Sequence, residues 1–163
     1  MKRQKNYVNV DLTAKDVKPV INYDGSIIED YFISSNGDVY HKTPKGTELC
    51  YCYLNKSGND WKNGYYKVRI NKHLYNLHWL LARAFVSGYK VGLCVDHIDN
   101  DSTNNAIENL QWITRGQNTS KFWKSLTAEE LEAYKQKYSK GVKAGHDNGN
   151  YKKHLKLLHN KGE

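Results

Sequence analysis

Four side chains between residues 96 and 118 have the types and the spacing that a metal-assisted hydrolysis needs. Asp96 offers a charged oxygen ligand and Asn118 a neutral one, a pair that suits a divalent cation such as Mg²⁺ or Mn²⁺ that keeps several waters. His97, which is neutral near pH 7, is the candidate general base for an attacking water. Asn109 is the candidate to orient that imidazole through a hydrogen bond.

The elements that position these side chains follow from the hydrophobic pattern. The apolar residues 91–95 predict a strand that leads into Asp96 and His97, whose side chains would point to opposite faces. Residues 100–105 are small and polar and predict a loop, and residues 110–114 alternate as a second strand. Residues 117–123 contain no proline and predict a helix with Asn118 in its first turn. The predicted order is strand, loop, strand, helix.

On these residues the chain resembles the HNH endonucleases with a ββα-metal core, specifically the phage and intron-encoded homing type whose third motif residue is Asn. The resemblance extends upstream through DYFISSNGDVYHKTPKG and NGYYKVRINKHLYNLHWLLARAFV. It implies metal binding by Asp96 and Asn118, general-base action by His97 and orientation of that base by Asn109. It also matches His78 to a recurrent His before the core, as an accessory candidate.

One departure from the family pattern lies directly after the Asp-His pair. Asn100 and Asp101 stand where relatives commonly have Gly and Asn. We expect this change to alter the loop and to leave the named site residues in place.

The function that this resemblance implies is hydrolysis of phosphodiester bonds in double-stranded DNA by a metal-dependent endonuclease, through nicking or double-strand cleavage. Two alternatives stay open. One is a non-cutting DNA-binding protein or regulator that retains the HNH fold, and the other is an RNA-directed nuclease or RNA-binding protein. A single site per chain favours nicking or cutting by a dimer, so both monomer and homodimer are compatible with the sequence.

The chain as a whole predicts an α+β fold in four segments. Residues 1–25 form a basic N-terminal extension, extended or loosely attached, and residues 26–73 a small antiparallel β module that contacts DNA. Residues 74–123 form the HNH ββα-metal nuclease core, and residues 124–163 a basic helical C-terminal tail.

Local signals support this division. Asn36-Gly37 predicts a hairpin turn, residues 48–54 and 65–70 predict two more strands of one small sheet, and residues 77–85 carry apolar side chains at helical spacing. In the tail, Thr127 is a predicted cap followed by Glu129 and Glu130, and HDNGN predicts a break before a short amphipathic helix at residues 151–160.

The net charge of +8 is concentrated at the two ends of the chain. Residues 24–120 hold ten Lys or Arg against ten Asp or Glu, residues 1–23 hold five against two, and residues 121–163 hold ten against five. Basic flanks bind phosphates without reading sequence, and such binding weakens steeply with salt. The cations that we expect to contact DNA are Lys67, Arg69, Lys72, Arg115, Lys121 and Lys124.

Cysteine usage and hydropathy exclude other classes. Cys50, Cys52 and Cys94 give neither a disulfide framework nor the paired Cys-x-x-Cys of a structural zinc site, so we expect no zinc. The basic N-terminus lacks the apolar run of a signal peptide, and no apolar run approaches a membrane span. We therefore expect a reduced, cytoplasmic protein without a membrane partner, in the bacterial host cytoplasm if a phage encodes it.

Overall fold

The fold is α+β, as the sequence predicted, and it combines antiparallel sheets with a β-β-α core. The computed structural model describes residues 5–56 and 64–143, with side chains up to residue 136. The chain divides into two compact units, Met1–Asn118 and Thr119–Glu163. The four-segment division expected from the sequence stays a prediction.

A five-stranded antiparallel sheet forms the N-terminal part of the first unit. Its strands, in the spatial order β1-β5-β4-β3-β2, are β1 (Tyr7–Val8), β2 (Val17–Ile21), β3 (Ile27–Ser34), β4 (Val39–Thr43) and β5 (Gly46–Leu49). The predicted hairpin turn at Asn36-Gly37 is confirmed between β3 and β4. The expectation that residues 1–25 attach loosely is wrong for β2, because Val17 and Val20 are buried and β2 pairs with β3.

A separate three-stranded antiparallel sheet contains β6 (Cys52–Asn55), β7 (Tyr65–Ile70) and β8 (His73–Asn76) in that order. The prediction of one strand over residues 48–54 is therefore wrong, because this segment contains the end of β5 and most of β6. The prediction of a single small sheet is also wrong, because β5 and β6 belong to different sheets. Pairing with β4 ends at Cys50, whose amide donates a hydrogen bond to the Val39 carbonyl at 2.7 Å. The next strand, β6, pairs with β7 instead. Cys50 and Cys52 both pack against the core, so the alternating pattern runs through the break.

Helix α1 (Leu77–Phe85) has the bounds that the sequence predicted and joins the sheets through one core. It buries Leu77, Leu80, Leu81 and Ala82, and it packs against strands of both sheets. The sheet residues of this core include Val20, Ile33, Val39, Val68, Ile70 and Tyr75. Complete burial of one Val, Leu or Ile side chain contributes about 1.5–3 kcal/mol to the free energy of unfolding.

The predicted strand, loop, strand, helix order is confirmed in the last part of the first unit. Strand β9 (Leu93–His97) pairs antiparallel with β10 (Leu110–Thr114), and helix α2 (Arg115–Ser125) follows directly. Strand β9 begins two residues later than expected and includes both Asp96 and His97. A short 3-10 helix, Ile107–Asn109, ends the intervening loop. The Trp112 indole donates to the Val86 carbonyl at 3.1 Å and ties β10 to the end of α1.

The second unit contains α3 (Ala128–Lys143), whose predicted cap is confirmed. The Thr127 hydroxyl accepts from the Glu130 amide at 3.2 Å, and the Glu130 carboxylate accepts from the Thr127 amide at 3.0 Å. This reciprocal capping box satisfies two amides that the first helical turn would leave unpaired. Tyr134 of α3 packs against Phe122 and Trp123 in the same unit. The predicted break and the helix at residues 151–160 lie outside the described residues.

Candidate active site

Asp96 and His97 are the last two residues of β9, and both are buried, with 8% and 7% of their surface accessible. In the β9–β10 register Asp96 faces Gln111 and His97 faces Leu110. Polar side chains at such depth require hydrogen-bond partners, because desolvation without one costs about 1–3 kcal/mol. The two residues find their partners in different elements.

His97 is held by an amide side chain of the loop. Its Nε2 lies 3.0 Å from Oδ1 of Asn105. The His78 ring meets the His97 ring edge to face at a centroid distance of 5.1 Å, and the Tyr65 ring lies 6.3 Å away. This hydrogen bond and the packing against the two neighbouring rings hold the His97 imidazole in place.

His78, the accessory candidate, is the second residue of α1 and belongs to this ring cluster. Its Nδ1 is buried and has no hydrogen-bond partner among the described residues. Burial, and after it the nearby His97 and Lys67, lower the pKa of His78 to about 3. At neutral pH His78 is an uncharged aromatic neighbour of His97.

Asp96 is held by the strand opposite. Gln111 Nε2 donates to Asp96 Oδ2 at 2.7 Å. Within residues 5–56 and 64–136, no three His, Cys, Asp or Glu side chains group as ligands for a metal. A carboxylate and an amide oxygen are hard donors, and two of them suit a cation that retains water and also takes substrate oxygens. The donor chemistry of Asp96 and Asn118 therefore fits Mg²⁺ or Mn²⁺.

Asn118 lies in the first turn of α2, as predicted. The entry to this helix is fixed by Thr114 and Gln117. Gln117 Oε1 accepts from the Thr114 amide at 2.9 Å, and Thr114 Oγ1 accepts from the Gln117 amide at 3.2 Å. These reciprocal bonds fix the turn from β10 into the helix that carries Asn118.

Asn109 is engaged differently from the prediction. Its Nδ2 donates to Asp99 Oδ1 at 2.9 Å and to the Asn104 carbonyl at 2.8 Å, and its Oδ1 accepts from the Asp99 amide at 3.1 Å. The expected hydrogen bond from Asn109 to the His97 ring is therefore not made. Asn109 ends the 3-10 helix at the base of the loop, where its amide closes the loop on Asp99.

Asp99 is the centre of this loop. The pKa of its carboxyl is lowered to about 2 by hydrogen bonds from the Asp101 amide, then from Asn104 and Asn109. Asn100 adopts φ 64°, in the left-handed region that Asn tolerates better than most residues. The departure from Gly at residue 100 is therefore compatible with the turn.

The expected DNA-contacting cations lie in several elements. Lys67 and Arg69 share one face of β7, as residues two apart on a strand do. Arg69 Nη1 donates to the carbonyl of Lys72, which lies in the tight turn between β7 and β8. Arg115 is the first residue of α2, and Lys121 and Lys124 belong to the second unit. Contact of any of these side chains with DNA stays a prediction.

Three residues of this site were missed from the sequence: Asn105, Gln111 and Tyr65. Gln111 follows from strand register, since the residue opposite Asp96 on the same face is the natural partner of its carboxylate. Asn105 stands in a run of small polar residues that gives no signal of which side chain turns toward the histidine. Tyr65 begins a strand more than thirty residues upstream, and only the tertiary fold brings it near.

The state of the cysteines and the character of the helices concern the disulfide-bonded and membrane-spanning classes that the sequence argued against. All three cysteines are free thiols, and burial raises the pKa of Cys50 and Cys52 to about 11. These two thiols are protonated at neutral pH. Among the described residues, no helix has the length and apolar character needed to cross a membrane.

Comparison with known proteins agrees with this geometry. A sequence model described as HNH endonuclease matches residues 75–120, which contain α1, β9, the loop, β10 and the start of α2. The DNA endonuclease I-HmuI of Bacillus phage SP01 is 32% identical over 105 residues, which cover 62% of this chain and 52% of that protein. The chain thus spans about half the length of this curated relative.

A solved structure shows the same similarity in three dimensions. It is described as DNA binding and cleavage by the HNH homing endonuclease I-HmuI, and it matches with a TM-score of 0.55 and 25% sequence identity. The match covers 74% of this chain and 66% of that one. The Asp-His pair at the end of β9, the strand β10 and the start of α2 lie within residues 75–120, the part of this chain that matches the HNH endonuclease family.

Proposed function

We propose that this chain is a DNA endonuclease that hydrolyses phosphodiester bonds in double-stranded DNA with the help of Mg²⁺ or Mn²⁺, of the homing type found in phages. The observation that carries the proposal is the adjacent pair at the end of β9. Asp96 and His97 are buried side by side, and each is fixed by an amide side chain, at 2.7 Å and 3.0 Å. This is the preorganisation that an oxygen ligand and a general base require.

In this proposal His97 is the general base. It takes a proton from a water molecule, whose oxygen forms a bond to the phosphorus. The bond from the phosphorus to the 3′ oxygen then breaks, and that oxygen takes a proton from solvent. A positioned base of this kind contributes about 10²–10⁴-fold to the rate. The buried position of His97, against the His78 ring, limits the number of orientations that the imidazole can adopt.

Asp96 and Asn118 are the proposed holders of the divalent cation. When bound, such a cation stabilises the charge that develops on the phosphate oxygens and on the departing 3′ oxygen. Gln111 keeps the Asp96 carboxylate in one orientation. Asn109 closes the loop between the catalytic strands, so its proposed part in catalysis is the rigidity of that loop.

Duplex DNA is the proposed partner, with contacts from the basic face of β7 and from the cations of α2. The relative I-HmuI is named as a DNA endonuclease, which supports this choice. The proposed place of action is the cytoplasm of a bacterial host. Nicking by a monomer and double-strand cleavage by a homodimer are both compatible with one site per chain.

The test is incubation of supercoiled plasmid and of host or rival-phage genomic DNA with purified protein and Mg²⁺ or Mn²⁺. Parallel reactions contain EDTA, the His97→Ala variant, or the control variant His73→Ala, which changes an exposed histidine of β8. We expect nicked or linear product that needs both metal and His97 and that survives the control substitution. Binding of all these DNAs without any product would contradict the proposal and favour a non-cutting DNA-binding protein of the same fold.

A further inference from the structure

Asn105 is the residue of this site that neither the motif nor the family comparison assigns, and its geometry bears on the chemistry of His97. Its side-chain oxygen lies 3.0 Å from His97 Nε2. An amide oxygen only accepts hydrogen bonds, so this contact is a hydrogen bond in the tautomer that carries its proton on Nε2. In a neutral imidazole the other nitrogen, Nδ1, then holds the lone pair.

We propose that Asn105 is a positioning residue that sets the tautomer of His97, with the proton on Nε2 and the basic lone pair on Nδ1. The inference deepens the proposed function, because the water that His97 activates must then approach Nδ1. Partners of this kind orient functional histidines by fixing the tautomer and the ring angle together. The His78 ring, packed against His97, restricts rotation of the same imidazole.

The loop around Asn105 is built to hold this side chain in place. On one side Asn104 Nδ2 donates to Asp99 Oδ2 at 2.7 Å, and the Asn104 carbonyl accepts from Asn109. On the other side the Ala106 amide donates to Asn104 Oδ1 at 3.3 Å. Both neighbours of Asn105 are therefore fixed by bonds that do not involve Asn105, and its own amide is directed to His97.

The space beside Asn105 permits clean substitutions. Asn105 lines an open cleft of about 550 Å³ together with Asn36 and Tyr66. Replacement by Ala removes the acceptor without forcing a larger group into the core, and replacement by Asp keeps an acceptor oxygen at the same position. Asn104→Ala is the matched control, since it removes both side-chain hydrogen bonds of the adjacent Asn in the loop and keeps the Asn105 amide that bonds to His97.

The experiment measures the ¹⁵N shifts of the His97 ring in the full chain at neutral pH, with the His97 signals assigned by comparison with His97→Gln. We expect a protonated Nε2 and an unprotonated Nδ1 in the wild type, in Asn105→Asp and in Asn104→Ala. In Asn105→Ala we expect loss of the protected Nε2–H signal and a mixture of tautomers. A wild-type His97 with its proton on Nδ1 would overturn the proposal.

Cleavage rates give the second readout. We expect Asn105→Ala to lower the single-turnover rate by about 10–100-fold at unchanged DNA affinity, with most of the rate kept in Asn105→Asp. Equal losses of rate in Asn105→Ala and Asn104→Ala with identical ring shifts would mean general loosening of the loop and would overturn the proposal. If the wild type cuts no DNA the proposed function fails, and the ring shifts still decide the role of Asn105.

Discussion

His78 gives the first unit a sensitivity to acid that can be measured without any substrate. Its pKa falls from 6.5 to about 3 in the folded chain, chiefly because the ring is buried. Between these two values the unfolded chain binds a proton that the folded chain does not bind. The free energy of unfolding therefore rises with pH in this window. The contribution of the neutral, buried His78 ring to the free energy of unfolding is complete above about pH 6.5 and is lost as the pH falls toward 3.

The magnitude follows from the shift. Each pKa unit corresponds to about 1.4 kcal/mol, so a fall from pH 7 to pH 5 costs at most about 2 kcal/mol at this one residue. His78 keeps part of its surface accessible, and solvent screening reduces this free-energy cost. We expect a loss of about 1–2 kcal/mol from His78 over this range.

The assay is urea unfolding at pH 7, 6 and 5, followed by tryptophan fluorescence, for wild type, His78→Leu and the control His73→Leu. His73 is exposed, so its replacement should leave the pH dependence as in the wild type. We expect the free energy of unfolding of His78→Leu to change by about 1–2 kcal/mol less than that of the wild type between pH 7 and pH 5. Equal pH dependence in wild type and His78→Leu would refute the argument that the buried ring is neutral.

Three further predictions concern the core, the loop and the basic strand face. Leu80→Ala, at a residue with 1% of its surface accessible, should cost about 2–5 kcal/mol in urea unfolding, and a loss below 1 kcal/mol would contradict the central place of α1 in the core. Asp99→Ala should lower the melting temperature at pH 7 by removing three hydrogen bonds, and the difference should narrow below pH 4 as the wild-type carboxyl, with its pKa of about 2, becomes protonated. The double variant Lys67→Ala, Arg69→Ala should weaken DNA binding and reduce the slope of log K against log salt by about 2, whereas an unchanged slope would exclude phosphate contacts by this face.

Much of the fold could be predicted because the local pattern and the tertiary environment agree. Helix α1 has its predicted bounds, since its apolar stripe packs into the core along its whole length. The β9–β10 pair was predicted from the alternation around Trp112 and from the polar loop before it, and the helix that carries Asn118 was predicted to begin two residues later than α2 does. The cap at Thr127 was predicted because its hydrogen bond to the Glu130 amide is local in sequence.

The failures have a common physical cause, which is that pairing partners are chosen by contacts distant in sequence. Residues 48–54 alternate like one strand, yet β5 pairs with β4 and β6 pairs with β7. Within the site, the motif spacing located His97 and Asp96, but it could not show which amide reaches the imidazole. Asn105 takes that place and Asn109 closes the loop, because the 3-10 helix directs the Asn109 side chain to Asp99.

The central claim is that His97, held at the end of β9, is the base for hydrolysis of DNA. The most direct test is the single-turnover rate of cleavage of plasmid DNA by wild type and His97→Ala, with the affinity for the same DNA measured alongside. We expect the rate of the variant to fall by about 10²–10⁴-fold while its affinity stays within a factor of about two. Cleavage by His97→Ala at the wild-type rate, with equal affinity, would contradict the account.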